Sequence, residues 1–211
     1  NPTKVKVHGR NLHPHQLVAK YWNPVNRYPD TQVEAEDLVL EAQFADLKQK
    51  FLTMQKDGRP LSLRKTVVLA DTSGSMHSCQ NGQFASIQPI LPCVALTALI
   101  TQVNHPAFRH AYIRFSDTAA WKRYGENASL HDIVNYMAND KDWMGSTNFA
   151  SAMELILKTC VEHNVPEQDI PDLLVMSDMQ FDRADGNVQP GQICYSRVTP
   201  GKFEAHYQTI Q

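Results

Sequence analysis

The sequence predicts an α/β domain with a mostly parallel sheet flanked by helices, preceded by a helical extension. From residue 66 onward, short apolar runs alternate with longer segments of helical spacing. This alternation is typical of parallel sheets whose strands are joined by helices. Hydrophobic residues make up 42% and charged residues 20% of the 211 positions. The chain can therefore bury a core, and disorder as its main state is excluded.

Residues 1–65 are predicted to form an arm and helical extension, followed by a domain at 66–211. Prolines and polar residues within positions 1–30 favour an irregular arm with one short helix near Gln16–Tyr21. Val33–Met54 has apolar residues at near-helical spacing and acidic residues at its start, which predicts a longer helix. The turn-forming run from Lys56 to Pro60 ends that helix.

The domain itself is predicted to contain buried strands separated by helices. The strands are expected at Thr66–Ala70, Ala111–Phe115 and Asp172–Met176, with a returning edge strand at Ala119–Tyr124. The helices are expected at Phe84–Val103, Leu130–Met137 and Phe149–Val161. After Met176 no further apolar strand is evident, so residues 183–202 are predicted to form an irregular loop and Phe203–Gln211 to begin a helix.

The ends of the sequence suggest an incomplete chain. It starts at Asn1 without an initiator methionine, which is typical of a processed or partial product. A parallel sheet that stopped one strand past Asp178 would leave unpaired backbone groups at its edge. We therefore expect the C-terminal end of the fold to be completed by additional residues or by another chain.

Charge and cysteine content favour a cytoplasmic protein without a membrane span. The net charge of −2 gives no overall footprint for nucleic acid, although residues 1–65 carry 11 basic against 7 acidic side chains. The four cysteines lie far apart, unlike a zinc site or a disulfide framework. The longest apolar run, Pro89–Ile100, is too short for a bilayer core that needs about 20 residues. No secretory signal precedes it.

Oxygen-bearing side chains stand where ligands bind in such sheets, beyond the carboxyl ends of the strands. Asp71, Ser73 and Ser75 occupy alternate positions of the loop after the first core strand, where Gly74 is expected to give the backbone its freedom to curl. Thr147 precedes a predicted helix and Asp178 follows a predicted strand, so both can face this loop. Carboxylate and hydroxyl oxygens suit Mg²⁺, which keeps several waters and needs few protein charges.

In this pattern the sequence resembles a von Willebrand factor A domain with its metal-ion-dependent adhesion site. Over about residues 66–182 the resemblance implies a Rossmann-like fold and a bound Mg²⁺ or Mn²⁺. It implies direct contact by Ser73 and Ser75, with Asp71, Thr147 and Asp178 binding directly or through water. It also implies one open metal position that accepts an Asp or Glu carboxylate of a protein partner. The rim is expected to comprise Met76, His77, Gly145, Ser146, Asn148, Met179 and Gln180. Asp182 either holds its loop or orients a metal-bound water.

A closer resemblance is found in the short sequence segments around these residues. Val68–Met76, Trp143–Phe149 and Val175–Asp182 are similar to an uncharacterised intracellular family of plants, fungi and large DNA viruses. Leu12–Leu17 and Glu41–Phe44 resemble the segment before that family's A domain. The family is distantly similar to the Ro ribonucleoprotein, whose A domain follows an RNA-binding ring of helical repeats. That ring is absent here, which disfavours RNA binding.

These features predict a metal-dependent adhesion or scaffold module rather than an enzyme. One alternative is a ribonucleoprotein component in which residues 1–65 contact RNA, with a salt-dependent affinity. Another is an architectural subunit of a larger assembly such as a virus particle, which would keep its partners in a chelator.

Catalytic and zinc-binding alternatives find less support. Phosphoryl-transfer enzymes of the haloacid dehalogenase type need a second Asp two residues after Asp71, where Ser73 stands. A hydrolase triad of Ser73 or Ser75 with His77 and Asp178 lacks the Gly-x-Ser-x-Gly motif. The remaining candidates are interpreted as structural residues. His13 and His15 are expected to form a polar cap at a helix start. Trp22, Trp121 and Trp143 are expected to be packing residues, and Asp140 and Asp142 to be solvated charges.

Overall fold

A computed structural model provides the three-dimensional description of the chain. It describes residues 12–22, 35–53, 55–56, 59–60, 65–77, 87–104, 106, 108–115, 118–140 and 149–178. The helices are α1 (Pro14–Tyr21), α2 (Leu38–Leu52), α3 (Ile90–Val103), α4 (Leu130–Ala138) and α5 (Phe149–Glu162). The strands are β1 (Gln55–Lys56), β2 (Arg59–Pro60), β3 (Thr66–Asp71), β4 (Ala111–Phe115), β5 (Ala119–Arg123) and β6 (Asp172–Met176).

The main sheet has four strands in the order β5-β4-β3-β6. Strand β3 runs parallel to both neighbours, pairing Thr66 to Ala70 with Asp172 to Met176 of β6. Strand β5 returns antiparallel to β4. The predicted fold class is therefore confirmed: the protein has a mixed α/β, Rossmann-like architecture with a mostly parallel sheet flanked by helices. In the described part of the chain, β6 is the outermost strand on its side.

The side chains of β3 alternate between two cores, as the twofold period of a strand requires. Val68 and Ala70 belong to the larger core, which includes residues of α1, α2, α3 and α4. Val67 and Leu69 face the smaller core, where Ala152 and Ile156 of α5 cover the sheet. The apolar run considered for a membrane span forms most of α3, which is buried in the larger core. No helix among the described residues is both long and apolar enough to cross a membrane.

Element boundaries depart from the predictions mainly where capping decides them. Helix α2 begins at Leu38 rather than near Val33 because the Asp37 carboxylate accepts the N–H groups of Val39 (2.7 Å) and Leu40 (3.4 Å). Helix α4, by contrast, begins at Leu130 as predicted, directly after Ser129, whose hydroxyl accepts the Asp132 N–H at 3.0 Å. Within the run Lys56–Pro60 that was predicted as a turn, Lys56 belongs to β1 and Arg59–Pro60 form β2, and the two strands pair antiparallel.

Helix α1 lies inside the larger core. Leu17, Val18 and Tyr21 are fully buried, and Trp22 at its end is 3% exposed. The division of the chain at residue 65 stays a prediction, but the helices before it share a core with the sheet. The predictions for residues 183–202, Phe203–Gln211 and the start of the helix at Phe84 lie outside the described residues.

Candidate metal centre

The carboxyl ends of β3 and β6 bring four of the expected ligands together. Because these neighbouring strands run parallel, Asp71 at the end of β3 and Asp178 just after β6 lie at the same edge of the sheet. The Ser75 hydroxyl donates a hydrogen bond to Asp178 Oδ1 at 3.3 Å. The hydroxyl oxygens of Ser73 and Ser75 are 3.1 Å apart. The sequence-predicted group Asp71, Ser73, Ser75 and Asp178 thus converges.

The loop after β3 is folded by its own backbone. The Ser73 N–H donates to Asp71 Oδ1 at 2.9 Å, and the Met76 N–H donates to the Ser73 carbonyl at 3.2 Å. The second bond closes the short 3₁₀ turn Gly74–His77. Gly74 does not adopt a left-handed φ, and a Cβ at this position would meet nothing within 4 Å. The expectation that the turn needs glycine's freedom was wrong, and the space beside Gly74 is open.

Asp71 is buried and carries two hydrogen bonds. Besides the Ser73 N–H, its carboxylate accepts the Ser177 hydroxyl at Oδ2. Burial raises the pKa of Asp71 above its usual 3.8, the donors from Ser177 and Ser73 oppose that shift, and nearby Asp178 adds to it. Burial and the nearby Asp178 charge both raise the pKa because they make the ionised carboxylate less favourable at this position. A cation bound here would oppose both effects.

Two residues at the centre were not predicted. Ser177 hydrogen-bonds Asp71 from the end of β6. From α3, the Cys93 thiol lies 3.7 Å from the Asp71 carbonyl oxygen and 3.8 Å from the Met176 carbonyl oxygen, as a donor to both. Burial raises the pKa of the Cys93 thiol to about 12, so it stays protonated and joins the two strand ends. A sequence signal existed only for Ser177, which stands beside Asp178.

The oxygen spacing fits a small octahedral cation. Mg²⁺ holds its ligands at about 2.1 Å, which places neighbouring ligands of an octahedron roughly 3 Å apart. The separations of 3.1 Å between Ser73 Oγ and Ser75 Oγ and 3.3 Å between Ser75 Oγ and Asp178 Oδ1 are close to that value. These three oxygens could serve as adjacent ligands after small shifts. Asp71, with both oxygens already accepting hydrogen bonds, suits contact through water.

Comparison with known proteins assigns the chain to a family. Residues 65–211 match the family described as Domain of unknown function (DUF7788). The chain belongs to the DUF7788 family. It is also similar to an uncharacterised protein of Acanthamoeba polyphaga mimivirus, with 26% identity over 183 residues. This alignment covers 86% of the chain but 27% of the viral protein, so the chain spans about a quarter of that relative's length. All candidate ligands lie in the DUF7788 region, whereas α1 and α2 precede it.

Two of the residues predicted to surround the metal site lie in the described part of the chain. Met76 is 1% exposed and belongs to the larger core, so its side chain does not line an accessible rim. The half-buried ring of His77 packs at a 6.3 Å centroid distance against Trp22. The predictions for Thr147, Gly145, Ser146, Asn148, Met179, Gln180 and Asp182, and those for Asp142 and Trp143, lie outside the described residues.

Acidic and histidine residues away from the candidate site make contacts within the fold. Among the described residues, no group of three or more His, Cys, Asp or Glu side chains is placed to hold a metal ion. The candidate metal site at the ends of β3 and β6 therefore depends on hydroxyl ligands as well as carboxylates. His13 and His15 stack at 5.6 Å, and the His13 N–H donates to Gln16 Oε1 at the start of α1. Asp140 was wrongly interpreted as solvated: its side chain is 7% exposed and lies 3.1 Å from the buried Arg114 guanidinium.

Proposed function

We propose that this DUF7788 chain is a divalent-metal-dependent protein-binding module. Mg²⁺ or Mn²⁺ would be held by Asp71, Ser73, Ser75, Thr147 and Asp178, and a partner protein would contribute an Asp or Glu carboxylate. The observation that supports the proposal is a row of three side-chain oxygens. Ser75 Oγ lies 3.1 Å from Ser73 Oγ and 3.3 Å from Asp178 Oδ1. This row lies across the ends of two parallel strands, where α/β sheets bind their ligands.

The proposed recognition is electrostatic. A bound divalent ion would supply positive charge at the sheet edge. Asp178 offers a carboxylate oxygen beside Ser75, whereas both oxygens of Asp71 already accept hydrogen bonds from Ser73 and Ser177. Hydroxyl oxygens are uncharged ligands. With Asp71 in contact only through water, the directly bound protein ligands would supply the single negative charge of Asp178 against the two positive charges of the ion. A partner carboxylate is attracted to the remaining positive charge.

The proposed function includes no bond making or breaking. Ser75 hydrogen-bonds both Ser73 and Asp178, and the His77 ring packs against Trp22, which supports a binding role for these side chains rather than the activation of a nucleophile. Turnover of a generic ester or phosphate substrate that disappears in Ser75→Ala would contradict this part of the proposal.

Calorimetric titration with MgCl₂ and MnCl₂ tests metal binding directly. Ser73→Ala and Asp178→Asn should each weaken binding relative to the unsubstituted chain. Matched controls are Thr118→Ala, which removes an exposed hydroxyl, and Asp172→Asn at the exposed opposite end of β6. Both controls should bind as the unsubstituted chain does. Equal binding by all four variants would overturn the site assignment.

Partner recognition requires a separate experiment. Peptides displayed as a library are selected on the immobilised chain in MgCl₂ and then eluted with EDTA. Selected sequences should contain an Asp or Glu whose replacement by Asn or Gln abolishes binding. Selection of peptides that stay bound in EDTA, or that tolerate the amide replacement, would contradict a metal-bridged carboxylate.

A further inference from the structure

We infer that helix α1, outside the DUF7788 region, is part of the metal site, and that Trp22 is a positioning residue for the turn that carries Ser73 and Ser75. This inference rests on the proposed function for its consequence, a change in metal affinity. Its structural premise, that Trp22 orders the turn, is testable without metal. The contact through which Trp22 would act is its ring packing against His77.

The turn lies beyond the last residue of β3, so sheet hydrogen bonds do not fix it. The bond from the Met76 N–H to the Ser73 carbonyl closes the turn but does not attach it to the rest of the protein. In the part of the chain that the structure describes, the contacts that attach the turn are made by side chains. Ser73 is 2% exposed, whereas Ser75 is half-buried.

Of the two residues that follow Ser75, Met76 enters the larger core and His77 packs against Trp22 at the end of α1. Met76 is 1% exposed and belongs to the same core cluster as Leu17, Val18 and Tyr21. The His77 ring lies 6.3 Å from the Trp22 ring at an interplanar angle of 32°. Helix α1 therefore supports the turn on the side next to Ser75.

Helix α1 is itself firmly placed, which lets it serve as a support. An eight-residue helix is marginal in isolation, so its order comes from burial. The Trp22 N–H donates to the Val18 carbonyl at 2.8 Å, which fixes the chain at the helix end. The Tyr21 hydroxyl donates to Glu41 Oε1 at 2.8 Å and accepts the Asp37 N–H at 3.1 Å. These bonds tie the end of α1 to α2.

Amide hydrogen exchange without metal tests the packing. Trp22→Ala should speed exchange at the amides of Ser73 and Met76, and Trp22→Phe, which keeps an aromatic ring, should restore slow exchange. The control Ile133→Ala removes a fully buried side chain of α4 from the same core. It should destabilise the protein without selectively speeding exchange in the turn. Equal exchange in Trp22→Ala and Ile133→Ala would overturn the inference.

Magnesium titration of the same variants tests the consequence. Residues that orient metal ligands typically change metal affinity by about 10-fold or more when removed, and we expect this loss in Trp22→Ala. Trp22→Phe and Ile133→Ala should stay close to the unsubstituted chain. Unchanged affinity in Trp22→Ala would contradict a positioning role. Absence of Mg²⁺ binding by the unsubstituted chain would instead refute the proposed function, and the exchange experiment would still decide the packing.

If Trp22→Ala does not fold, His77→Ala provides the second variant. It removes the other ring of the pair from a half-buried position and leaves the core residues intact. Faster exchange at Ser73 and Met76 in His77→Ala supports the inference. Exchange equal to that of the unsubstituted chain overturns it.

Discussion

Glu41 caps helix α4 at Leu130. The Glu41 carboxylate accepts the Leu130 N–H at 2.7 Å and the His131 N–H at 2.9 Å, two groups that have no partner within their own helix. Negative charge is favourable at a helix N-terminus. The same carboxylate accepts the Tyr21 hydroxyl at 2.8 Å, so one side chain of α2 joins α1 to α4. The helical extension is thereby tied to the helices around the sheet.

Removal of this cap should destabilise the whole protein. Glu41→Ala leaves the N–H groups of Leu130 and His131 without their acceptor, which is expected to cost about 1–3 kcal/mol. Glu41→Gln keeps an acceptor oxygen but loses the charge, so the loss should be smaller. Urea unfolding monitored by circular dichroism measures both. Glu154→Ala, at an exposed position of α5, is the control and should change little. A Glu41→Ala variant as stable as this control would refute the cap's contribution.

The buried pair of Arg114 and Asp140 makes a second prediction. Their side chains are 2% and 7% exposed, and Lys122 approaches the other Asp140 oxygen at 2.9 Å. Asp140→Asn removes the negative charge that pairs with Arg114 and Lys122 in this buried position and should cost about 3–5 kcal/mol. Lys122→Met should cost less because Lys122 is 22% exposed.

A double variant separates charge from packing at this pair. Arg114→Met combined with Asp140→Asn removes the buried cation together with its partner. It should be more stable than Asp140→Asn alone in urea unfolding, because the buried guanidinium is removed together with the carboxylate that pairs with it. A double variant less stable than the single one would show that packing of the Arg114 side chain dominates.

Folding stability should fall at mildly acidic pH because of His110. Burial, followed by the charge of Arg109, lowers the pKa of His110 below its usual 6.5, and Glu126 opposes the shift. The folded chain therefore binds this proton at lower pH than the unfolded chain does. The stability contribution is present above about pH 6.5 and is lost as the pH falls toward the lowered value.

His110→Asn tests this pH dependence without disturbing the backbone. His110 has a φ of 61°, a conformation that asparagine tolerates. The ring packs edge-on against Tyr124 at 5.5 Å, so some stability is lost at every pH. Thermal unfolding between about pH 5 and 7 should vary less in His110→Asn than in the unsubstituted chain. His163→Asn makes the same substitution at an exposed position and serves as the control. An unchanged pH profile in His110→Asn would contradict the assignment.

Gly74→Ala should be tolerated. A Cβ at Gly74 meets nothing within 4 Å, and the φ is not left-handed, so no clash or strain is expected. The loss of chain entropy in the unfolded state should leave stability equal or up to about 1 kcal/mol higher. Thermal unfolding measures this, and magnesium titration shows whether the open space beside Gly74 must stay free. Marked destabilisation would indicate a backbone requirement that the geometry does not contain.

Local patterns predicted the strands well and the interactions between elements poorly. The apolar runs at Thr66–Ala70 and Asp172–Met176 predicted two strands, and both are present. Burial was predicted correctly for β3 but not for β6, whose residues are half-buried or exposed because it is the outermost described strand on its side. Four of the five expected metal ligands are described, and they converge because parallel strands end at one edge. The fifth, Thr147, remains a prediction.

The missed features depend on contacts between residues distant in sequence. From the sequence, Asp140 is predicted to be a surface charge, because only the folded structure shows that β4 places Arg114 beside it. Cys93 reads as an ordinary core residue of α3, since only the assembled sheet brings two strand-end carbonyls to its thiol. Met76 follows the ligand loop in sequence, yet the turn directs its side chain into the core. Sequence spacing alone contains none of this information.

Metal binding should stabilise the folded chain, because the site exists only when β3 and β6 are paired. At 100 times the dissociation constant, an ion that binds only the folded state adds about 2.7 kcal/mol to the free energy of unfolding. Differential scanning calorimetry in MgCl₂ and in EDTA measures this gain. Asp178→Asn should show a smaller gain because it weakens binding, and Asp172→Asn at the other end of β6 should show the full gain. Equal stabilisation of both variants would mean that magnesium acts elsewhere on the protein.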